Sequence, residues 1–182
     1  MFDFTKIKKQ IAEVEAWLTK EFSGIRTNRA TPAFLDGIKV DSYGSLMSIN
    51  QIAAISVEDA RSLRIAPWDH SQGKTIEKAI TAANLGVSVS ADDKGVRVTF
   101  PELSAERREQ IIKLAKAKLE DARKSLRANR DEVVRELQGK EKEGGLGKDD
   151  IFRLKGDVQK LVDAGNKKLE EMLGKKEQEI SS

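Results

Sequence analysis

Counting from Asp3, apolar residues fall at Ile7, Ile11, Val14, Leu18, Phe22 and Ile25, at spacings of four, three, four, four and three. Such spacing keeps the side chains on one stripe of an α-helix, so a first helix is predicted to run to about Asn28. A second stripe comprises Ile111, Ala115, Leu119, Ala122, Leu126, Val133 and Leu137. It follows Ser104, whose hydroxyl is placed to cap the free N–H groups of the first turn. Asn129 falls on that stripe where an apolar residue is expected, and a buried amide there needs hydrogen-bond partners unless it reaches solvent. The glycines of "GKEKEGGLGKDD" stop the second helix, and Asp149 or its neighbours open a third. Its stripe is Ile151, Leu154, Val158, Leu161, Gly165, Leu169 and Met172. Three stripes of near-heptad spacing satisfy one another by packing side by side, and the second helix, at about 1.5 Å per residue, is roughly 50 Å long.

Between the first two stripes the period changes. "GIKVDSY", "AAISVE", "SLRIAP", "GVSVS" and "GVRVTF" are short runs rich in Val, Ile and Ser with Gly, Asn and Asp at their margins, and are predicted strands. "SVSADDKGVRV" reads as a hairpin around an Asp-Asp-Lys-Gly turn, and Ile76, Ala79, Ile80 and Ala83 mark one helix face. The expected fold class is α+β, an elongated antiparallel three-helix bundle of residues 1–30 and 104–182 with a small β/α/β domain, residues 31–103, inserted in it. The chain crosses between the two at Ala30, Thr31 and Pro32 and again at Pro101, Glu102 and Leu103. Each proline holds the residue before it in extended geometry, so the crossings are expected to form a hinge of limited swing.

Composition agrees with long exposed helices, since 35% of residues are charged and only 5% aromatic. Residues 31–103 hold seven basic and nine acidic side chains, net −2, so an overall charge of +3 leaves +5 on the helical part. A polyanionic partner would be expected there, although a solvated helix surface explains the same excess. There is no cysteine, and the N-terminal "MFDFTKIKKQIAEVEAW" has no uninterrupted apolar run. Neither a secretion signal nor a membrane span is therefore expected, and the expected location is the cytoplasm.

Candidate chemistry is sparse. "HSQGKT" ends like a phosphate-binding loop, but the glycine required five residues before Gly73 is replaced by Trp68. In "GGLGKDD", Asp149 stands where Ser or Thr would hold magnesium. His70 is the only histidine and has neither cysteine nor a spaced carboxylate set beside it, while Asp149 and Asp150 point about 100° apart and suit helix capping. Trp17 and Trp68 sit outside any aromatic cluster and are expected to pack in the core or at a domain edge. No catalytic group, cofactor or metal is expected. The basic residues are more orderly. Lys116, Arg123 and Arg130 are seven apart with Arg127 between the last two, and at about 100° per residue they fall roughly 80° to 140° from the apolar centre at Ala122. Guanidinium groups suit phosphate, and without interleaved aromatics the coherent ligand is the backbone of a folded RNA. Arg26 and Arg29, three apart at the end of the first helix, are explained by dipole pairing without any ligand.

"IRTNRATPAFLDGIKVDSYG", "VEDARSLRIAPWD", "IEKAI", "NLGVSV", "LSAERREQ" and "DVQKL", in this order and spacing, resemble the ribosome recycling factor family across essentially the whole chain. The resemblance implies an L-shaped molecule with the outline of transfer RNA. It also implies that the bundle contacts large-subunit ribosomal RNA near the peptidyl-transferase region. In that family the factor splits post-termination ribosomes with elongation factor G and GTP, initiation factor three acts downstream, and the factor itself catalyses no covalent reaction. The "LRANRDE" stretch is similar to a family pattern "VRNVRRD", which places Arg127 and Arg130 as RNA contacts, while Arg123 and Lys116 are candidate contacts from their place on the same basic flank. Arg26 and Arg29 become RNA contacts through the resemblance alone. Asp131 stands where a further arginine is usual, Asn129 where an aliphatic residue is usual, and Asn28 replaces the glycine of "RTGRASP". A monomer is expected. Two other readings use parts of the same sequence: a bundle adaptor that binds a partner protein's helix, and a nucleotide-binding enzyme resting on "QGKT".

Overall fold

A computed structural model describes residues 3–182; Met1 and Phe2, which open the N-terminal segment read above, lie outside the described residues. The chain divides into two units, Met1–Phe22 with Ile112–Gln178, and Ser23–Ile111 with Glu179–Ser182. Three helices build the first unit: α1 (Thr5–Ser23), α4 (Ala105–Lys142) and α5 (Lys148–Ser181), each with an end in the second. Asp3 accepts the Thr5 N–H at 2.8 Å and Ser104 Oγ accepts the Arg107 N–H at 3.2 Å, so α1 and α4 each begin on a side-chain acceptor. At the other end of α4, Gly144 takes φ +75°, and Gly145 donates back to the Lys140 carbonyl at 3.0 Å.

Ion pairs fix the helix directions. Lys6 meets Glu132 and Glu136 while Lys118 meets Glu21, so α1 and α4 run antiparallel; Gly165 lies against Ile11 and Lys168 meets Glu15, so α1 and α5 run parallel. The interior carries the stability, because Leu18, Ala115, Ala122, Leu126, Leu137, Val158 and Leu169 are fully buried. Each large apolar side chain among them is worth about 1.5 to 3 kcal/mol, against about 0 to 1 kcal/mol for an exposed ion pair. Gly165 brings α5 close to both neighbours: a Cβ there would stand 3.0 Å from Ile11 and 3.4 Å from Leu126.

The second unit holds an antiparallel sheet in the order β3 (Ala53–Asp59), β4 (Ser62–Pro67), β6 (Gly95–Thr99) and β5 (Ser88–Asp92), with a separate hairpin of β1 (Lys39–Ser42) and β2 (Ser45–Ser48). Helix α3 (Gly73–Ala82) packs on β1, β5 and β6 and buries Ile76 and Ile80 completely, and a single turn, α2 (Ile49–Ile52), leads into β3. Leu63, Ile65, Val96 and Val98 line the buried face; Phe100 joins them and meets Phe34 edge-on at 5.4 Å. On the opposite face Arg64 and Arg97 are direct cross-strand partners. Their repulsion is relieved by Glu58, shared between them at 2.9 and 3.0 Å, with Asp92 and Asp59 at 2.7 and 3.2 Å. Gly95 closes the β5–β6 hairpin at φ +124°, where a Cβ would lie 2.1 Å from the Ile65 carbonyl oxygen.

Several sequence expectations are corrected. Helix α1 stops at Ser23, not near Asn28, because Gly24 favours leaving the helix and the Thr27 hydroxyl turns to its own segment, accepting the Arg29 N–H at 3.3 Å. Ile25 is nonetheless buried. On α5 the buried position is Val162, with Leu161 half-exposed, and Ile180 is fully buried although the stripe as read ended at Met172. Strand β2 was not expected: "SLMS" is exposed in its first half and half-buried in its second and pairs with β1 alone, so it carries no alternation to read. No described helix is long and apolar enough to cross a membrane.

Gly165→Val is expected to lower the unfolding free energy by about 1 to 3 kcal/mol through overpacking against Ile11 and Leu126. The check is a urea titration in which the midpoint falls while the slope is kept.

Candidate nucleic-acid interface

Burying the α4 stripe leaves Lys116, Arg123, Arg127 and Arg130 along one flank of that helix. Two of them face α5, where Lys116 Nζ stands 3.4 Å from Glu177 and Arg123 Nη2 donates to Glu170. Arg123 Nη1 also donates to Glu120 at 2.7 Å, and this bond, the main cause, raises its guanidinium above the ordinary value. Arg130 donates from both Nε and Nη2, at 3.0 and 2.8 Å, to one oxygen of Asp131. Arg127 is exposed and makes no ion pair or side-chain hydrogen bond with any described residue. Lys116, Arg123, Glu170, Leu173, Gly174 and Glu177 line a groove of about 350 Å³ between α4 and α5. The donors expected from the sequence are therefore on one surface. Their carboxylate partners on α5 were not anticipated, although Glu170 and Glu177 repeat the seven-residue spacing of Lys116 and Arg123 in antiparallel order.

Arg26 and Arg29 do not share a helix face, since both follow the end of α1, and dipole pairing no longer accounts for them. Arg29 is exposed. Arg26 is half-buried and its Nη2 donates to the Pro101 carbonyl; burial, and then the neighbouring Arg107 cation, push its guanidinium below the ordinary value. Arginine remains charged there, so Arg26 brings a partly desolvated cation to the start of α4.

Both linkers around Arg26 are held by hydrogen bonds. Ala30 N–H donates to the Ala60 carbonyl at 2.9 Å and Phe100 N–H to that of Arg61 at 2.7 Å, so the two linkers dock on adjacent residues of the β3–β4 turn. Glu102 pairs with Arg61 at 3.0 Å. Thr31 is extended at φ −126°, ψ 131°, as its place before Pro32 requires, and Pro32–Leu35 then forms a 3₁₀ turn. Asn28 is buried; its Oδ1 accepts the Leu103 N–H at 3.2 Å and its Nδ2 donates to the Ile180 carbonyl at 3.5 Å. One amide thus joins the segment after α1, the segment before α4 and the last turn of α5.

The remaining candidates separate from this surface. Gly73 has helical geometry at φ −53°, ψ −47°, so "QGKT" runs directly into α3 and forms no phosphate loop. His70 lies in a short 3₁₀ turn capped by Asp69, whose carboxyl is held below its usual range first by the Tyr43 hydroxyl and then by Ser71. Trp68 is 69% exposed and Trp17 is also exposed, with Lys118 Nζ 5.9 Å from its ring centre, so of the expected core or domain-edge packing the core alternative fails for both. Asn129 is half-buried at a shallow groove with Gln10, Trp17 and Ser125, and does not sit in the sealed interior. Among the described residues no group of three or more His, Cys, Asp or Glu side chains is placed to hold a metal ion.

The family model described as "Ribosome recycling factor" matches residues 18–180. Curated relatives called ribosome-recycling factor include one from Oleidesulfovibrio alaskensis, 39% identical over 95% of this chain and 94% of its own length. Another, from Endomicrobium trichonymphae, is 43% identical over 88% and 86%. Among solved structures, a solution structure of a ribosome recycling factor superposes with a TM-score of 0.77 at 31% identity, covering 100% of this chain and 99% of that one. A second, from models of the T. thermophilus ribosome recycling factor and E. coli elongation factor G bound to the E. coli post-termination complex, gives a TM-score of 0.68 at 32% identity over 97% and 96%.

Asn28→Ala leaves the buried Leu103 N–H without its acceptor and is expected to cost about 1 to 3 kcal/mol of stability. Thermal unfolding, together with faster amide exchange at Leu103, is the check.

Proposed function

The chain belongs to the ribosome recycling factor family, and from that premise we propose that it splits the post-termination ribosome into subunits together with elongation factor G and GTP, returning ribosomes to a new round of protein synthesis. The observation that carries this reading is a family match reaching from residue 18 to residue 180, within a fold shared over the full chain with a solved family member. The related structure with elongation factor G on a post-termination complex supports the ribosome and that GTPase as partners.

In this mechanism binding energy remodels an assembly and no bond of the substrate is made or broken by the chain. Lys116, Arg123, Arg127 and Arg130, with Arg26 and Arg29, contact large-subunit ribosomal RNA near the peptidyl-transferase region, through charge-assisted bonds to backbone phosphates. Residues 1–30 with 104–182 act as the ribosome-binding domain. Residues 31–103, joined through Ala30–Pro32 and Pro101–Leu103, form the domain displaced when elongation factor G hydrolyses GTP. Initiation factor three then keeps the subunits apart. The chain works as a cytoplasmic monomer without a cofactor of its own.

Purified post-termination ribosomes given elongation factor G and GTP are expected to split faster when the chain is added. No stimulation, with no association with ribosomes on a gradient, refutes the reading and favours an adaptor for a protein partner. Arg127→Ala is expected to weaken ribosome binding by about 1 to 3 kcal/mol and to lower the salt slope by about one; an unchanged affinity removes Arg127 from the contact surface.

A further inference from the structure

Three of the four cations on the α4 flank are already occupied by carboxylates. Asp131 takes two donors of Arg130, Glu170 and Glu120 share Arg123, and Glu177 faces Lys116. Four carboxylates therefore stand against three of the cations, with Glu120 and Glu170 both on Arg123, so most of the flank's positive charge is offset; Arg127 alone has no carboxylate partner among the described residues. Exposed pairs of this kind are weak, so opening one is a small cost beside a charge-assisted phosphate contact.

We propose that Asp131, Glu170 and Glu177 are built-in competitors for phosphate: each holds a flank cation in the free chain and yields it to an RNA phosphate on binding. This rests on the reading of the flank as an RNA contact. Nucleic acid binds cations from solution and releases them when a protein charge neutralises a phosphate. A cation that changes partner from carboxylate to phosphate leaves a negative charge behind it, and that charge offsets the neutralisation. The flank consequently makes several directed contacts while its affinity depends on salt as though about one cation were engaged, not about four. Such a surface selects a phosphate array that matches the donors and is poorly held by RNA at large. Glu170 and Glu177 act across the α4–α5 groove, whereas Asp131 acts on its own helix, so the competition does not depend on any one contact.

The test measures binding of the full chain to purified large ribosomal subunits over a series of potassium chloride concentrations. The variant Asp131→Asn, Glu170→Gln, Glu177→Gln is compared with Asp121→Asn, Asp150→Asn, Asp157→Asn. The latter removes the same three charges from i,i+3 pairs with Lys124, Arg153 and Lys160. The flank variant is expected to bind about tenfold tighter at low salt, with a salt slope steeper by about two, and the control variant to gain less than about threefold. A parent that binds while the flank variant keeps its affinity within about twofold and its slope unchanged overturns the competition and leaves the RNA contact standing. An equal gain in the control variant also overturns it, as a bulk charge effect. A parent that does not bind the subunits overturns the RNA-contact reading and this proposal together.

Discussion

The α4 stripe, buried against α1 and α5, is the constraint from which the rest of the candidate surface follows. Leu119, Ala122, Leu126, Val133 and Leu137 fix the rotation of α4 about its own axis, and that rotation alone determines which basic residues emerge side by side. Gly165 keeps α5 close enough to reach Ile11 and Leu126, and this proximity is also what brings Glu170 within reach of Arg123. Apolar packing thus sets the electrostatics. Exposed charges worth little individually acquire a fixed pattern because the helices beneath them cannot turn.

The second unit treats its charges differently. Arg64 and Arg97 lie opposite each other on β4 and β6 and are held by Glu58, Asp59 and Asp92, a local acidic excess within the net −2 of residues 31–103. Those arginines stabilise a sheet face. On α4 the pairs are also partly open to solvent, with Lys116 and Glu170 about 60% exposed, but no two of its paired cations share one carboxylate as Arg64 and Arg97 share Glu58. A count of basic residues cannot separate the two cases; what differs is whether the cations face one another across strands or line up along a helix.

Much of the fold was legible because it is written in periodicity. Most of the three stripes, the β5–β6 hairpin and the Ile76, Ala79 and Ile80 face of α3 rest on a local repeat, and the Ser104 cap on a local bond; Ala83, read on the same α3 face, is exposed just past the helix end. Failures occurred where local and distant partners compete. Ser23 to Asn28 keeps an apolar spacing through Ile25, yet Gly24 and the buried bonds of Asn28 draw that segment away from α1. Strand β2 and the exposure of Trp68 depend on what lies alongside, which no spacing records. At the candidate surface the cations were legible as a seven-residue series on one helix. Their partners were hidden, because Glu170 and Glu177 meet them only once the α4–α5 hairpin has closed.

The docking of both linkers on the β3–β4 turn has a mechanical consequence. Ala60 and Arg61 are consecutive, so tension entering through either linker reaches the sheet at a single point. Two backbone bonds share that load in parallel, and the Glu102–Arg61 pair braces one of them. Strain on either segment is therefore felt at the same pair of peptide groups.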